Sequence, residues 1–285
     1  FVDLVGGGRI VAKHQFYGIA TRGEPYDLLR VEADTLRFLR ARRAAVPLVF
    51  GIDPGAQLIL LEFAGGQTFA DVLATPPDHS TRQDLAHRAL HELQFIETQL
   101  ANAAVAPVVP GGSLEDLTAA WSPVAGLALD GLRRLWRKHC GQPLPNGLQH
   151  RIESLWRQLG ARPPRRGITD YQPANIVVDE QHRRVTFLEL AKLGWDWTER
   201  RAVQYTTSVD GSGGSLLNPH IVSASGLEPG AVDGHHILFQ LLLARRILTS
   251  GNGNTIGLVR GLVHPLSSDA SALDIRHRLL PLTSC

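Results

Sequence analysis

The character of the chain changes near residue 64, and this change restricts the folds that it can adopt. Before that point, short runs of alternating apolar residues surround one helical segment; after it, long segments carry the apolar period of helices. With 285 residues and 44% hydrophobic content, the chain can bury one large core or two modest ones. We therefore predict an α+β fold with domains at residues 1–64 and 65–285.

The first domain is predicted to contain a small antiparallel sheet and one helix. Residues 1–13 alternate apolar and polar side chains on both sides of a glycine cluster, which is typical of a β-hairpin. The apolar period over residues 26–42 predicts a helix. Two short apolar runs, 47–50 and 58–63, are typical of strands, and Asp53-Pro-Gly55 between them is typical of a turn.

The second domain is predicted to be mostly helical. Its predicted helices span about residues 80–100, 113–139, 146–160 and 232–249. Two apolar, β-branched runs, 167–178 and 184–190, flank the polar residues 179–183, which predicts a second hairpin. Serine, glycine and asparagine dominate residues 206–218, so we expect a loop there, followed after the last helix by a weakly determined tail.

Charge and cysteine content argue against several classes of partner and site. The formal charge of +2 comes from 29 basic and 27 acidic residues, which gives no electrostatic reason to expect nucleic acid or a membrane surface. Cys140 and Cys285 match neither a disulfide scaffold nor the paired spacing of zinc ligands. The longest apolar runs fall short of the roughly 20 residues of a membrane span. We expect a cytoplasmic protein without nucleic-acid or membrane partners.

Lysine is rare in this chain, since only Lys13, Lys138 and Lys192 occur among 29 basic residues. Each of these lysines is therefore worth inspecting as a functional candidate. Lys13 lies on the second strand of the first predicted hairpin, and Glu32 lies on the helix that follows. A lysine on a strand can bind phosphates as a cation, while a helix glutamate pairs with it and fixes its position.

Three oxygen-bearing side chains are predicted to converge at the second hairpin. Asp170 and Asn175 lie five residues apart at its base, and Glu189 follows its second strand. Phosphoryl transfer needs a carboxylate that accepts the proton of the attacking hydroxyl, and hard oxygen ligands that hold Mg²⁺ on the phosphates. The pattern therefore predicts Asp170 as the catalytic base, with Asn175 and Glu189 as metal ligands.

The order and spacing of these segments over about residues 1–205 resemble the aminoglycoside phosphotransferase family, whose fold is similar to that of protein kinases. Lys13 and Glu32 match the lysine strand and its partner helix, and Asp170 to Asn175 matches the D-x-x-x-x-N part of the catalytic loop. Glu189 occupies the position of the second metal-binding aspartate. The resemblance implies a bilobal protein-kinase-like fold, with a small antiparallel sheet and one helix in the N-lobe and a mostly helical C-lobe.

The same resemblance implies a nucleotide site. Residues 58–66 are similar to the hinge between the two lobes, where backbone groups around Glu62 and Ala64 would bind adenine. The implied cofactors are ATP or GTP together with Mg²⁺. The implied activity is transfer of the γ-phosphate to a hydroxyl group of a small molecule.

Three positions depart from the family pattern. Gly6-Gly-Gly8 lies too close to Lys13 to be the loop that covers the phosphates, so it is predicted to be the turn between two strands. Ile168 stands where the family usually has a histidine, two residues before the catalytic aspartate. Glu189 replaces an aspartate and is one methylene longer, which affects the placement of a metal.

The acceptor is expected to dock near residues 113–166, which contain nine basic and four acidic residues. A polycationic acceptor would favour a carboxylate-lined pocket. We therefore expect a neutral or anionic hydroxylated acceptor, such as a sugar, nucleoside, antibiotic or amino-alcohol metabolite, while the basic residues could equally be a solvated helix face.

Other functions stay open at this point. The chain could be a pseudokinase that binds nucleotide or a partner without turnover, or a protein kinase or regulatory module, although no activation-loop motif follows Glu189. A serine hydrolase is disfavoured because no G-x-S-x-G motif occurs. Asp196 is expected to cap a helix rather than to act in catalysis. His235 and His236 are expected at a helix start rather than in a metal or acid–base centre.

Overall fold

The structure is a computed structural model in which we describe residues 2–4, 8–15, 26–75, 78–101, 103–104, 106–179, 184–212, 214–251 and 255–284. These residues form small antiparallel sheets and a larger helical part. The mixed composition agrees with the predicted α+β class. The predicted bilobal arrangement stays a prediction. None of the described helices is both long and apolar enough to span a membrane.

The first sheet contains strands β1 (Val2–Leu4), β2 (Gly8–His14), β3 (Val49–Asp53) and β4 (Leu58–Glu62) in the order β1-β2-β4-β3. All of its pairs are antiparallel, as predicted. The turn between β1 and β2 falls outside the described residues. Strand β3 begins two residues and ends three residues later than predicted, and Asp53 at its end accepts a hydrogen bond from Ala56 N at 2.9 Å in the turn that follows.

Helix α1 (Leu28–Ala41) confirms the helix predicted at 26–42. It begins after Asp27, whose side chain accepts a hydrogen bond from Arg30 N at 2.9 Å and so satisfies one of the free N–H groups of the first turn. Leu29, Leu36 and other apolar residues of its buried face lie in the core. Glu32 lies on the same buried face, which is an unusual place for a carboxylate and requires a partner.

The second predicted hairpin is present but shorter than expected. Strands β7 (Ile176–Asp179) and β8 (Arg184–Phe187) pair with each other, and β5 (Gln67–Thr68) adds to β7. The run predicted as one strand over 167–178 is instead divided. A separate strand β6 (Arg165–Ile168) pairs with β9 (Leu193–Asp196), which the apolar pattern did not reveal.

A short 3₁₀ turn, Pro173–Asn175, causes this division. Proline lacks a backbone N–H and cannot join a central strand ladder, so the chain leaves one sheet and enters another at this point. The loop between β6 and β7 therefore contains both Asp170 and Asn175.

The helices after β4 agree with the prediction in most places. They are α2 (Phe69–Ala74), α3 (His79–Ala101), α4 (Leu114–Trp121), α5 (Val124–Cys140), α6 (Asn146–Gly160), α7 (Thr198–Thr206), α8 (Pro219–Ala224), α9 (Pro229–Ser250), α10 (Ile256–Val263), α11 (Ala270–Leu279) and α12 (Pro281–Ser284). The single helix predicted at 113–139 is wrong, because Pro123 ends one helix and begins the next. The tail, which the sequence left undetermined, is helical.

The chain divides into two compact units, each discontinuous in sequence. The first contains residues 1–71, 88–117 and 164–196, and the second contains residues 72–87, 118–163 and 197–285. Strands β5, β6, β7, β8 and β9 thus belong to the same unit as the first sheet. The single boundary predicted near residue 64 stays a prediction.

In the second unit, α9 packs closely on α5 through a glycine. A Cβ at Gly131 would lie 2.1 Å from the carbonyl oxygen of Leu241, so only glycine permits this approach of the two helix backbones. Arg245 on α9 donates to Asp130 Oδ2 at 3.1 Å beside the same contact. The two helices therefore form the centre of this unit.

The residues Asp233, His235 and His236 lie inside α9, not before it. The helix is capped by Glu228, whose carboxylate accepts hydrogen bonds from Gly230 N and Ala231 N. Asp233 is fully buried and forms an ion pair with Arg276. His235 packs against Trp121 with 5.7 Å between ring centroids, and burial lowers its pKa well below the ordinary value. These side chains are therefore part of the core of the helical unit.

Candidate functional site

The ammonium group of Lys13 contacts two carboxylates in the first unit. Its Nζ lies 2.8 Å from each carboxylate oxygen of Glu32 and 2.9 Å from Glu189 Oε2. The position follows from local structure: Lys13 is opposite Ile59 in the β2–β4 ladder, and Glu32 projects from the buried face of α1. The sequence-predicted Lys13–Glu32 pair is thus formed, with Glu189 as an additional partner of Lys13.

The environment of this pair is largely closed to water. The Glu32 side chain is 1% exposed and that of Lys13 is 20% exposed. Gln15 Nε2 also donates to Glu32, so this carboxylate has two donors. Burial by itself would lower the pKa of Lys13, but the carboxylates of Glu32 and Glu189 outweigh it and leave the pKa above its ordinary value. Lys13 is therefore a fixed cation near neutral pH.

Asp170 and Asn175 are joined in the loop between β6 and β7. Asn175 Nδ2 donates to the carbonyl oxygen of Asp170 at 2.7 Å, and Asn175 is buried. This bond closes the loop around Pro173 and leaves the Asp170 carboxylate free to face outward. The carboxylate Oδ2 is 2.8 Å from the ammonium nitrogen of Lys192. The sequence correctly placed Asp170 and Asn175 together, but it did not predict the contact of Lys192.

The contact between Lys192 and Asp170 results from the pairing of β6 with β9. In this ladder Ile168 is opposite Leu193, and the next residue, Thr169, donates its N–H to Lys192 O at 3.0 Å. The side chains that follow β6 and precede β9 therefore lie beside each other. The rarity of lysine was the available signal for Lys192, since two of the three lysines in the chain contact predicted site carboxylates.

The backbone at Glu189 is strained. Its φ is +60°, in the left-handed region that non-glycine residues rarely adopt. The preceding residue, Leu188, donates its N–H to Asn175 O at 2.8 Å, which holds the Glu189 segment against the catalytic-loop candidate. This hydrogen bond joins the backbone of Asn175 to the residue before Glu189, so the two predicted metal ligands lie on bonded segments. With the left-handed backbone at residue 189, the Glu189 carboxylate contacts Lys13.

Tyr26 anchors the segment that follows Glu189. Its hydroxyl donates to Ala191 O at 2.5 Å, and the side chain is buried at the start of α1. Burial raises the pKa of Tyr26 to about 12. This bond connects the segment before β9, which contains Lys192, to the segment that precedes α1.

We expect Tyr26→Phe to remove part of the loss of stability at alkaline pH. The folded state favours the neutral hydroxyl of Tyr26, because burial raises its pKa from about 10 in the unfolded chain to about 12 in the folded chain. The contribution of Tyr26 to the free energy of unfolding is therefore complete below pH 10. It decreases by roughly 1 kcal/mol per pH unit as the pH rises from 10 to 12. Urea unfolding of both proteins between pH 8 and pH 12 measures the difference. Parallel pH dependences would contradict the assignment.

A cavity of about 360 Å³ lies beside Lys13 and Glu189 in the same unit. The residues that line it include the apolar Val11, Leu61, Val177 and Leu188, the charged Lys13 and Glu189, and residues 62–66. A largely apolar cavity with a few charged groups is typical of a small-molecule site. The cavity lies in the region that the sequence predicted to bind nucleotide.

The two predicted hinge residues differ in their contacts. Glu62 uses its side chain for structure, since its carboxylate accepts from Leu48 N at 3.0 Å and lies 3.3 Å from Arg40 Nη2. Ala64 lies between β4 and β5 and lines the cavity. Gly65 follows with a φ of +150°, and a Cβ there would lie 2.7 Å from Val178 O. Only glycine therefore allows the backbone at 65 to pass this close to β7.

The residues present could hold Mg²⁺ at the phosphates. The described residues contain no group of three or more His, Cys, Asp or Glu side chains that could bind a metal by themselves. Mg²⁺ at phosphoryl-transfer sites usually takes only one or two protein oxygens and completes its shell with phosphates and water. Asn175 donates through Nδ2, and its Oδ1 accepts a long hydrogen bond of 3.5 Å from Gln172 Nε2, which a cation at Oδ1 would replace. Glu189, whose Oε2 contacts Lys13, would provide a carboxylate. The donor set fits such a metal.

Asp196 has a partner other than the helix that follows it. The N-cap position of α7 is occupied by Trp197, and the Asp196 carboxylate accepts a hydrogen bond from the Tyr171 hydroxyl. Asp196 is buried at the end of β9. This bond fixes Tyr171, the residue after Asp170, so Asp196 supports the position of the predicted base.

No protein-family model and no curated protein matches the chain. Several solved structures are similar to it. An aminoglycoside 3′-phosphotransferase of type VIII is 14% identical with a TM-score of 0.40, and the alignment covers 97% of this chain and 86% of that one. The choline kinase LicA from Streptococcus pneumoniae is 11% identical with a TM-score of 0.47, covering 99% and 88% of the two chains.

A choline/ethanolamine kinase family protein from Mesorhizobium loti is 15% identical with a TM-score of 0.42, covering 98% of this chain and 88% of that one. The similar structures thus include members of the family that the sequence resembles. Because these TM-scores are below 0.5, we base the functional proposal on the contacts of the site.

Proposed function

We propose that the chain is a phosphotransferase that moves the γ-phosphate of ATP or GTP to a hydroxyl group of a small molecule. The observation that carries this proposal is the grouping, within one compact unit, of the buried Lys13–Glu32 pair, the cavity beside it and the Asp170–Asn175 loop. These parts correspond to the needs of phosphoryl transfer, which depends on positioning and on stabilisation of developing charge.

Lys13 would bind the phosphates of the nucleotide. Glu32 fixes the ammonium group at 2.8 Å and is itself almost completely buried, so the lysine has little freedom to move. Fixed cations stabilise transition-state charge better than mobile ones, because no reorganisation is needed during the reaction. Val11, Leu61 and Leu188 would enclose the base, and the backbone near Ala64 would provide its hydrogen bonds.

Asp170 would accept the proton of the acceptor hydroxyl. Its carboxylate is 29% exposed and therefore open to a substrate, while its backbone carbonyl is held by Asn175. Asn175 Oδ1 and Glu189 would hold Mg²⁺, which would neutralise charge on the phosphates. Lys192 would keep the Asp170 carboxylate in place until the acceptor arrives, as its 2.8 Å contact suggests.

The contacts of the basic residues in 113–166 bear on the class of acceptor. Several of the basic residues that favoured a neutral or anionic acceptor are already paired: Arg134 with Asp130, Arg151 with Asp274 and Arg162 with Glu228. Arg166 donates to the carbonyl oxygens of Ala103 and Ala106. These contacts reduce the positive charge that remains for a substrate. We retain a neutral or anionic hydroxylated metabolite as the proposed acceptor.

A non-catalytic nucleotide-binding role is the alternative, and one contact favours it. Glu189 Oε2 lies 2.9 Å from Lys13 Nζ, so one carboxylate oxygen of the glutamate at the place of the family aspartate is engaged by the lysine, which competes with binding of a metal. A pseudokinase with this arrangement would bind nucleotide without Mg²⁺-dependent turnover.

Two measurements separate these functions. Acceptor-dependent ATP and GTP consumption with Mg²⁺ is measured on a panel of sugars, nucleosides, amino alcohols and antibiotics, and nucleotide affinity is measured by calorimetry with and without Mg²⁺. We expect turnover with at least one acceptor and tighter nucleotide binding with Mg²⁺. Nucleotide affinity that is the same with and without Mg²⁺, together with no turnover of any acceptor on the panel, would instead support the non-catalytic role.

Lys192→Met is expected to lower kcat about tenfold, because the Asp170 carboxylate loses the partner that holds it in place. Nucleotide affinity should change little, because Lys192 does not line the cavity beside Lys13. Lys138→Met is the matched control, since Lys138 is an exposed lysine on α5 in the other unit. A kcat of Lys192→Met equal to that of this control would exclude a positioning role for Lys192.

A further inference from the structure

A second cavity of about 360 Å³ lies within the helical unit, where no sequence motif directed attention. Its wall is formed by the first turns of α3, by residues 214–218, and by residues of α9 and α10. Its residues all belong to the second compact unit, so this cavity is distinct from the one beside Lys13.

The lining of this cavity is basic. Arg82, Arg260 and His264 contribute side chains to it, and none of the described lining residues carries a carboxylate. Among the described residues, the guanidinium of Arg82 has one long hydrogen bond, 3.5 Å to Ser215 O. The Arg260 side chain forms no hydrogen bond or ion pair with any residue that the structure describes. Two unneutralised guanidinium groups around one concave surface favour an anion there.

Asn218 adds a neutral donor to the same wall. Its Oδ1 accepts a hydrogen bond from Ile221 N at 2.9 Å, which caps α8 and fixes the orientation of the amide. The amide N–H₂ group donates to none of the described residues and is left for a ligand.

The floor of the cavity does not cancel this charge. His236 lines the cavity at 2% exposure, and Arg276 Nη2 donates to its Nδ1 at 3.2 Å, so the ring is a neutral acceptor at that nitrogen. The buried carboxylate of Asp233, three residues before His236 on α9, pairs with Arg276 and accepts from Ser267 N at 3.1 Å and Ser267 Oγ at 2.9 Å. Arg82 and Arg260 therefore have no compensating carboxylate among the described residues that line the cavity.

We infer that this cavity binds a small phosphorylated metabolite, with Arg82 and Arg260 on its phosphate and Asn218 donating to it. A phosphate matches the planar fork of guanidinium groups, which can bind it through two N–H groups each. The cavity volume is within the range of small-molecule sites and leaves room for an organic part beside the phosphate. The inference uses different residues from the phosphotransferase proposal and does not depend on it.

Calorimetric titration of the full chain with ribose 5-phosphate, inorganic phosphate and ribose tests this site. We expect ribose 5-phosphate to bind and ribose not to bind. Arg82→Gln and Arg260→Gln should each weaken ribose 5-phosphate at least about tenfold, which corresponds to loss of one charge-assisted contact. Arg137→Gln, which changes an exposed arginine on α5 outside the cavity, should retain the affinity of the unaltered chain.

Three outcomes would overturn the inference. These are no binding of ribose 5-phosphate up to about 10 mM, equal affinity in the unaltered chain and both cavity variants, and binding of inorganic phosphate but not of ribose 5-phosphate. Hydrogen exchange of the unaltered chain provides a test that needs no substitution. Ribose 5-phosphate should slow exchange in residues 214–218, and unchanged exchange there would also count against the site.

Discussion

Asp170→Asn is expected to lower kcat for phosphoryl transfer at least about a hundredfold, because an amide cannot accept the proton of the acceptor hydroxyl. The substitution keeps the size of the side chain, and the hydrogen bond between Asn175 and the backbone oxygen of residue 170 can persist. Nucleotide affinity should change little, since Asp170 does not line the cavity beside Lys13. The measurement is acceptor-dependent ATP consumption, with nucleotide affinity determined on the same preparations.

The matched control is Asp34→Asn, which changes an exposed carboxylate on α1 that lies 3.7 Å from Arg37. This control should keep the kcat of the unaltered chain. Turnover of Asp170→Asn at the same rate as Asp34→Asn would remove Asp170 from the proposed mechanism. An equal decrease of kcat in both variants would mean that loss of any carboxylate lowers activity, and it would not support a specific role of Asp170.

Lys13→Met is expected to lower the free energy of unfolding by about 3 kcal/mol, because it leaves Glu32 buried without its cation. Adding Glu32→Gln should restore most of this loss, since the uncompensated carboxylate is then absent. Chemical unfolding of the two single variants and the double variant yields the coupling energy of the pair. Lys138→Met, an exposed lysine, is the control and should cost little.

The pH dependence of Lys13→Met provides a second signature. Burial raises the pKa of Glu32 even beside Lys13, and loss of the lysine removes the main opposing interaction. The folded variant therefore binds a proton more readily than its unfolded chain, so its stability should rise relative to the unaltered chain as the pH falls from 7.5 to 5.5. A constant difference between the two proteins over this range would mean that Glu32 finds another partner.

Lys13→Met should also weaken nucleotide binding at least about tenfold, as expected for loss of a charge-assisted contact with phosphate. In the Lys13→Met/Glu32→Gln variant, stability should return while nucleotide affinity stays low. This combination separates the role of Lys13 in binding from its role in the fold. Recovery of both properties together would assign Lys13 a structural role only.

Local patterns in the sequence were sufficient for the secondary structure that surrounds the site. The alternation in β2 and the apolar period of α1 predicted the strand of Lys13 and the helix of Glu32, while the burial of Glu32 was seen only in the structure. The resemblance of Asp170 to Asn175 to a D-x-x-x-x-N catalytic loop implied that both residues lie in one loop, as they do. These features depend on neighbouring residues, which is why the sequence alone could predict them.

The pairing of distant strands could not be predicted in the same way. The ladder between β6 and β9 joins residues about thirty positions apart, and the turn at Pro173–Asn175 that makes it possible interrupts an otherwise strand-like run. The helix break at Pro123 was likewise overlooked, although the proline itself was visible. Strand partners depend on which segments bury surface together, and this is a property of the folded chain.

The sequence by itself determined the α+β composition, the Lys13–Glu32 pair and the loop that contains Asp170 and Asn175. Only the tertiary structure decided that Lys192 contacts Asp170, that Glu189 turns to Lys13 and that Arg82 and Arg260 meet at one cavity. The physical reason is the range of the interactions. Periodicity and turn chemistry act over a few residues, whereas these contacts depend on the packing of elements that are distant in the chain.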